Sequence, residues 1–335
     1  MTKPFRLSYW VMLGTFLLVG FLNLGTPLLA ALLSFFALQR LHFIKGKWLA
    51  VLLFSLLVLG ASYALAHFAR QAVVALPAVA EKAIPSIIDY AKRHDVELPF
   101  TDWESLKEAA IDTAKDQAHN LGTFANLAKG ATRQFVFLII GIVVAVSFFL
   151  NSKLDLDRDI HAIRNNIYSL TCEQIVDRFD LFYQSFVTVM GAQIIISAIN
   201  TVFTSIFVFV VGLPHAVVVI GVTFLCGLLP VIGNLLSNTI IVAIAFTVSP
   251  QMALWALAFL VTIHKFEYFL NSKIIGDRIR NPIWLTLLGL ILGERLMGLP
   301  GMILAPVLLN YIKVEASKIE VMSEPLPPAP PSARL

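Results

Sequence analysis

The sequence predicts an all-α polytopic membrane protein, from its composition, its long apolar segments and the position of its basic residues. The chain has 335 residues, of which 58% are hydrophobic and 14% are charged, and its mean hydropathy is +0.81. A soluble domain has about 25% charged residues, so this chain cannot cover itself with polar groups. The net charge of +4 does not indicate a nucleic-acid partner, because the basic residues cluster at the ends of apolar segments.

We predict about eight membrane segments, since a spanning helix needs about 20 apolar residues. The first four candidates precede the middle of the chain and cover residues 8–24, 27–41, 48–68 and 134–150. The first of them is expected to be a retained helix and not a signal peptide, because no clear small-residue cleavage site follows it.

A less apolar stretch, residues 71–133, is predicted to be an extracytoplasmic helical segment. Thr101 and Glu104 fit a capping box, and Pro77, Pro85 and Pro99 are expected to divide the stretch into short helices. A solvated connector and a segment that binds a partner are both compatible with this pattern.

Residues 182–312 repeat one arrangement twice, a long helix followed by an apolar segment broken by glycine and proline. The helices are residues 182–211 and 251–270, and the broken segments are 214–248 and 283–312. Irregular backbone is not tolerated against lipid, so each broken segment is expected to be a re-entrant hairpin buried in protein or lining an aqueous path. Two ordinary short helices remain the alternative for the first. The predicted turn residues are Gly227, Pro230, Gly233 and Asn234 in the first hairpin and Gly298, Pro300, Gly301 and Pro306 in the second.

Lysine and arginine occupy alternate connections of this chain. Each of the following segments contains two to four lysines or arginines: 1–7, 40–47, 151–181, 271–281 and the segment after 312. The turns at 22–26, 212–214 and 249–251 carry neither residue. The positive-inside rule then places both termini in the cytoplasm and gives the two hairpins inverted orientations, the plan of many secondary transporters.

This reasoning divides the chain into five parts. They are 1–70, the N-terminal transmembrane helices; 71–133, the outer segment; 134–181, a transmembrane helix and cytoplasmic connector; 182–312, the transport core; and 313–335, a Pro-rich cytoplasmic tail expected to be disordered.

Two stretches of the core resemble the autoinducer-2 exporter family of bacterial membrane proteins. They are "GLPHAVVVIGVTFLCGLLPVIGN" and "HKFEYFLNSKIIGDRIRNPIWLTLLGLILGERLMGLPGMILAPVLL". The resemblance is good over residues 180–312 and implies a bacterial inner-membrane exporter built as a homo-oligomer, in that family a pentamer. Two positions depart from the family pattern: Ser272 to Ile274 replace a frequent proline, and Glu294 and Arg295 stand where apolar or aromatic residues are common.

Ionisable and amide side chains inside the membrane are functional candidates, because burying them is costly. Glu267 is the first candidate, and Asn271 lies one helical turn after it, on the same face. The structural alternative to a functional role of Glu267 is pairing with Lys265, Arg278 or Arg295. The candidate residues for the substrate path or coupling are Glu267, Asn271, Glu294, Arg295, His264 and Asn238.

The sequence therefore predicts a secondary transporter that exports a small polar solute of the autoinducer-2 type, with a proton as one possible coupling ion carried by Glu267 and secondarily by Glu294. A sodium–proton antiporter is the first alternative, and a scaffold that recruits a partner through residues 71–133 is the second. No hydrolase, metalloprotease or phosphate-loop motif is present in the sequence, so we expect neither an enzyme nor a cofactor or metal.

Overall fold

A computed structural model describes residues 3–43, 46–95, 121–151, 166–230, 232–275 and 282–319 of the chain. Within these ranges every regular element is a helix, which confirms the all-α prediction. The helices are α1 Lys3–Phe21, α2 Gly25–Leu41, α3 Lys47–Arg93, α4 Leu121–Leu150, α5 Ile167–Val211, α6 Ala216–Gly227, α7 Ile232–Phe246, α8 Pro250–Ile275, α9 Ile283–Met297 and α10 Leu299–Ser317.

Four of the described helices are long and apolar enough to cross a bilayer, namely α3, residues 130–150 of α4, α5 and α10. Helices α1 and α2 together form a fifth candidate, bent by 116° at the break between them. The chain is therefore a multi-pass membrane protein. The count of about eight segments and the inverted orientation of the hairpins stay predictions.

Helix α3 runs without a break from Lys47 to Arg93, so the prediction that Pro77 and Pro85 divide this stretch is wrong. Both prolines lie on the exposed side of α3, whereas Ala75 and Val79 on the other side are buried against α6 and α7. Packing of one apolar face stabilises a helix more than local propensity does, and here it offsets the backbone hydrogen bonds that proline removes. The expected capping box and Pro99 lie outside the described residues.

Helix α5 packs against two different groups of helices, one near its start and one near its end. Near its start Phe182 and Phe186 pack with residues of α1, α2 and α10. Near its end Val208 packs with residues of α3, α6, α7 and α8. One continuous helix thus joins the two broken segments of the chain.

The first broken segment is a helical hairpin made of α6 and α7. Its turn begins after Gly227, and Leu229 N–H donates to the carbonyl of Cys226 at 2.8 Å. Gly233 lies so close to that same carbonyl that a β-carbon would have no room. The hairpin packs against α5 on one side and α8 on the other.

The second broken segment has a much tighter turn than the sequence predicted. Helix α9 continues through Glu294 and Arg295, and Gly298 alone separates it from α10, at φ +64° and ψ −146°. The turn therefore does not extend from Gly298 to Pro306, the span of the predicted turn residues. Pro300 and Gly301 belong to the first turn of α10, where a missing proline N–H costs nothing, and Pro306 lies inside that helix.

The two arms of this second hairpin touch through their glycines. Gly293 and Gly301 face each other so closely that a β-carbon on either one would overlap the other's carbonyl. The hairpin packs on α1, α2 and α5. It is therefore held near the start of α5, whereas the first hairpin lies toward its end.

Candidate functional site

Glu267 is the centre of a polar cluster that three helices build inside the apolar core. It lies on α8 and is only 9% exposed. Its carboxylate accepts a hydrogen bond from Asn200 Nδ2 of α5 at 3.0 Å. Asn234 Nδ2 of α7 donates to both of its oxygens, at 3.0 and 3.1 Å. A buried charge needs such donors, because an isolated carboxylate is very costly to take out of water.

His264 extends the cluster along α8. Its Nδ1 lies 3.2 Å from Glu267 Oε2, and its Nε2 lies 2.5 Å from Asn238 Nδ2 of α7. A neutral imidazole that donates from Nδ1 and accepts at Nε2 satisfies both contacts. The ring is partly exposed, so it connects the buried carboxylate with the outer part of the cluster.

A polar stripe on α5 explains how the first hairpin is held against this cluster. Gln193, Ser197 and Asn200 recur at helical spacing and so share one face of α5. Gln193 Nε2 donates to the carbonyl of Gly227 at 2.6 Å, and Ser197 Oγ donates to that of Phe224 at 2.7 Å. These bonds satisfy carbonyls at the end of α6 that have no partner within the helix. The backbone groups freed by the break are thus paired with side chains of α5.

One atom of the cluster is unpaired. The side-chain oxygen of Asn200 is buried and has no hydrogen-bond partner among the described residues, although the nitrogen of the same amide donates to Glu267. A free acceptor beside a carboxylate is unusual in a buried network, where nearly all polar atoms are paired. A proton donor or a hard cation is the kind of group that an amide oxygen binds.

The structure brings together only part of the predicted set. Glu267, His264 and Asn238 meet, and they are joined by Asn234, which the sequence suggested only as a turn residue. Glu294 and Arg295 are exposed at the end of α9, and neither contacts Glu267. The side chain of Asn271 lies outside the described ones.

The alternative of an ion pair between Glu267 and a cation is not seen for Lys265 or Arg295. Lys265 is exposed and is not among the hydrogen-bond partners of the carboxylate, and Arg278 lies outside the described residues. Among the described residues, the partners of the carboxylate are two amides and an imidazole.

A second polar cluster, missed by the sequence analysis, joins α1, α5 and α10. Arg178 on α5 is 3% exposed and forms an ion pair with Glu315 on α10. Its Nε donates to Ser8 Oγ at 2.8 Å, and Tyr9 Oη donates to Glu315 Oε1 at 2.9 Å. Arg178 precedes Phe182 by one turn on the buried face of α5, and this spacing could have revealed it.

Helical hairpins beside a buried polar cluster are a feature of many transporter folds. Residues 7–319 match the profile of the family described as "AI-2E family transporter". The chain belongs to that family, as its two motif stretches predicted. It is also 27% identical over 172 residues to "Putative transport protein YdbI" of Bacillus subtilis (strain 168). That match covers 51% of this chain and 49% of the relative, so the chain spans about half the length of that protein.

Proposed function

We propose that the protein is a proton-coupled secondary transporter that exports a small polar solute of the autoinducer-2 type. The observation that supports this most is the buried carboxylate of Glu267, whose hydrogen-bond donors come from three different helices. A titratable group inside a membrane protein is a candidate proton carrier. Here its charge also decides how strongly those helices are held together.

Protonation of Glu267 would weaken the contact between the first hairpin and α8. Asn234 donates to both oxygens of the carboxylate, and a neutral carboxyl is a poorer acceptor with one oxygen converted to a donor. Proton uptake therefore loosens α7 from α8, and proton release restores the contact. This links the proton to the position of the hairpin, as coupled transport requires.

Asn200 fits both protonation states of Glu267. Its nitrogen now donates to the carboxylate while its oxygen is unpaired. Rotation of the amide by half a turn would present that oxygen to the O–H of the protonated carboxyl. His264 then provides the route for the proton, since it contacts the carboxylate at one ring nitrogen and is partly exposed.

We place this transporter in the bacterial inner membrane with both termini in the cytoplasm, since the basic residues favour that orientation. By family resemblance the functional unit is a homo-oligomer, most simply a pentamer. Transport by hairpin movement needs neither a bound cofactor nor a chemical change in the solute.

A sodium–proton antiporter is the second candidate, favoured by the unpaired oxygen of Asn200. An amide oxygen next to a carboxylate is a donor set that suits a hard cation. In this case sodium would replace the proton at Glu267, and no organic solute would be needed.

The test is flux in inside-out vesicles that contain the purified chain under an imposed pH gradient. Gradient-driven accumulation of labelled autoinducer-2 should be present in the wild type and lost in Glu267→Gln. The matched control is Glu81→Gln, which makes the same change at an exposed carboxylate of α3 and should retain transport. Glu294→Gln tests the second predicted carrier, and we expect it to transport because its side chain is exposed and outside the cluster.

Equal accumulation in wild type and Glu267→Gln would refute the role of this carboxylate. If no variant accumulates autoinducer-2, that solute is refuted, and sodium-driven proton movement is measured in the same vesicles. Silence in both assays would favour a scaffold that acts through the outer segment. A deletion for that test should begin after residue 95, because Val79 and Ala83 of α3 are part of the core.

A further inference from the structure

A cavity of about 540 Å³ lies between α1, α9 and α10, remote from the Glu267 cluster. Its walls are almost entirely apolar, with Phe16, Leu296 and Leu308 among them, and Gly20 and Gly293 make room for it. Two residues that line the cavity are strongly exposed, Leu17 at 65% and Leu296 at 54%. The cavity therefore opens to the outside of the helix bundle, between α1 and α9. In a membrane-spanning region that opening faces lipid chains.

The cavity has one polar end. Tyr9 and Glu315 line it there. Arg6 stands three residues before Tyr9 on α1. Lys318 stands three residues after Glu315 and directly follows the last residue of α10. Both are exposed. Residues three apart on a helix lie on neighbouring positions of one face. Both cations therefore lie about one turn beyond the polar end of the cavity, outside its lining.

We propose that this cavity binds one anionic phospholipid, with an acyl chain between α1, α9 and α10 and the phosphate at Arg6 and Lys318. Its volume is within the range of about 300–1,000 Å³ typical of ligand pockets. Basic pockets between transmembrane helices on the cytoplasmic side of a membrane bind anionic head groups. The inference is independent of the solute and the coupling ion proposed above.

Apolar walls and basic flanking residues favour an anionic phospholipid over a polar solute or a second copy of the chain. A polar solute would find almost no hydrogen-bonding groups along the walls. A second copy docked by the same face, as in a two-fold dimer, would set Arg6 and Lys318 against their own counterparts. A head-to-tail contact in a ring pairs this face with a different one, and the light-scattering measurement below tests that case. An anionic phospholipid supplies both the apolar chain and the negative charge.

The experiment measures lipid binding to the delipidated full chain in detergent by native mass spectrometry. The probes are dioleoyl phosphatidylglycerol, dioleoyl phosphatidylcholine and glycerol 3-phosphate. We expect phosphatidylglycerol to bind more tightly than phosphatidylcholine. Glycerol 3-phosphate, which lacks the chain, should not bind.

Two pairs of variants locate the lipid. Arg6→Gln with Lys318→Gln should weaken phosphatidylglycerol binding about 25-fold, at roughly a factor of five per basic residue. The control with Arg40→Gln and Lys265→Gln removes two exposed charges elsewhere and should bind as the wild type. Gly20→Phe should block the chain of either lipid. A β-carbon at Gly20 meets only Leu296, at 4.0 Å, so the added ring has room to enter the cavity and fill it. Gly14→Phe is its control, since Gly14 has open space around it.

Equal binding of the two lipids would overturn the head-group assignment. Normal lipid binding by Gly20→Phe, with the melting temperature unchanged, would overturn the location. If Gly20→Phe instead changes the oligomeric mass measured by light scattering and leaves lipid binding intact, the cavity is a contact between subunits and the proposal is wrong.

Discussion

Asn234 and Glu267 connect the turn of the first hairpin to helix α8 through a forked hydrogen bond, with Asn234 Nδ2 at 3.0 and 3.1 Å from the two carboxylate oxygens. Asn234 belongs to the first turn of α7, directly after the break. A change at the carboxylate is therefore transmitted to the break between α6 and α7.

The first prediction concerns this bond. Asn234→Ala should lower transport about 10- to 150-fold, because loss of a hydrogen bond to a charged group costs about 1.5–3 kcal/mol. The measurement is solute flux in vesicles, with thermal stability in detergent beside it. Thr239→Ala is the control, since Thr239 is exposed on the same helix and bonds only to the carbonyl of Leu235. Equal flux in the two variants would contradict a role for Asn234.

The second prediction concerns the stripe on α5. Ser197→Ala should lower the melting temperature by about 1–2 °C, because the carbonyl of Phe224 loses its donor from another helix at a cost of about 1 kcal/mol. Ser205→Ala is the matched control, since Ser205 bonds to a carbonyl of its own helix and should change stability little. A larger loss in Ser205→Ala would show that the stripe does not hold the hairpin.

Composition and segment length were sufficient to predict the helical class and the two breaks, because apolar runs and glycine or proline act locally. The width of the second turn could not be predicted in this way. Gly298 alone makes it, at a positive φ that other residues rarely adopt. Pro300 and Pro306 do not end α10, because tertiary packing and position decide whether a proline breaks a helix.

The candidate site was predictable in its parts but not as a group. Glu267, His264 and Asn238 could be chosen as polar residues in apolar segments. That Asn200 and Asn234 reach the same carboxylate depends on how α5 and α7 pack, and no single helix encodes that. As a charged residue, Arg178 was assigned to the cytoplasmic connector that ends at residue 181. It shares the buried face of α5 with Phe182, however, and therefore lies between the helices.

The third prediction compares two glycines that both lie inside helices, Gly293 of α9 and Gly14 of α1. Gly293→Ala should destabilise the protein by about 1–3 kcal/mol, because a β-carbon there would overlap the backbone of Gly301 and force the hairpin apart. Gly14→Ala should be neutral or stabilise by up to about 1 kcal/mol, because it has open space and alanine favours a helix. Melting temperatures measured in one detergent compare the two. A neutral Gly293→Ala would mean that α9 and α10 can separate freely.

The last prediction concerns the ion pair of Arg178 and Glu315, which holds α10 to α5. Glu315→Gln leaves a guanidinium that is 3% exposed without its counter-charge, and breaking a buried pair from one side costs about 3–5 kcal/mol. The control is Asp89→Asn, which breaks the ion pair with Arg93, whose side chain is 73% exposed. Exposed pairs contribute about 0–1 kcal/mol, so the control should unfold almost as the wild type.

A double variant separates the pair itself from its surroundings. Arg178→Met with Glu315→Gln removes the buried charge as well as its partner, so its loss of stability should be smaller than the sum of the two single losses. The readout is the melting temperature of the purified chain in detergent. Additive losses would show that Arg178 is stabilised by Ser8 and by the ring of Tyr9, whose centroid lies 3.5 Å from its guanidinium carbon. In that case the second hairpin is not anchored to α5 through Glu315.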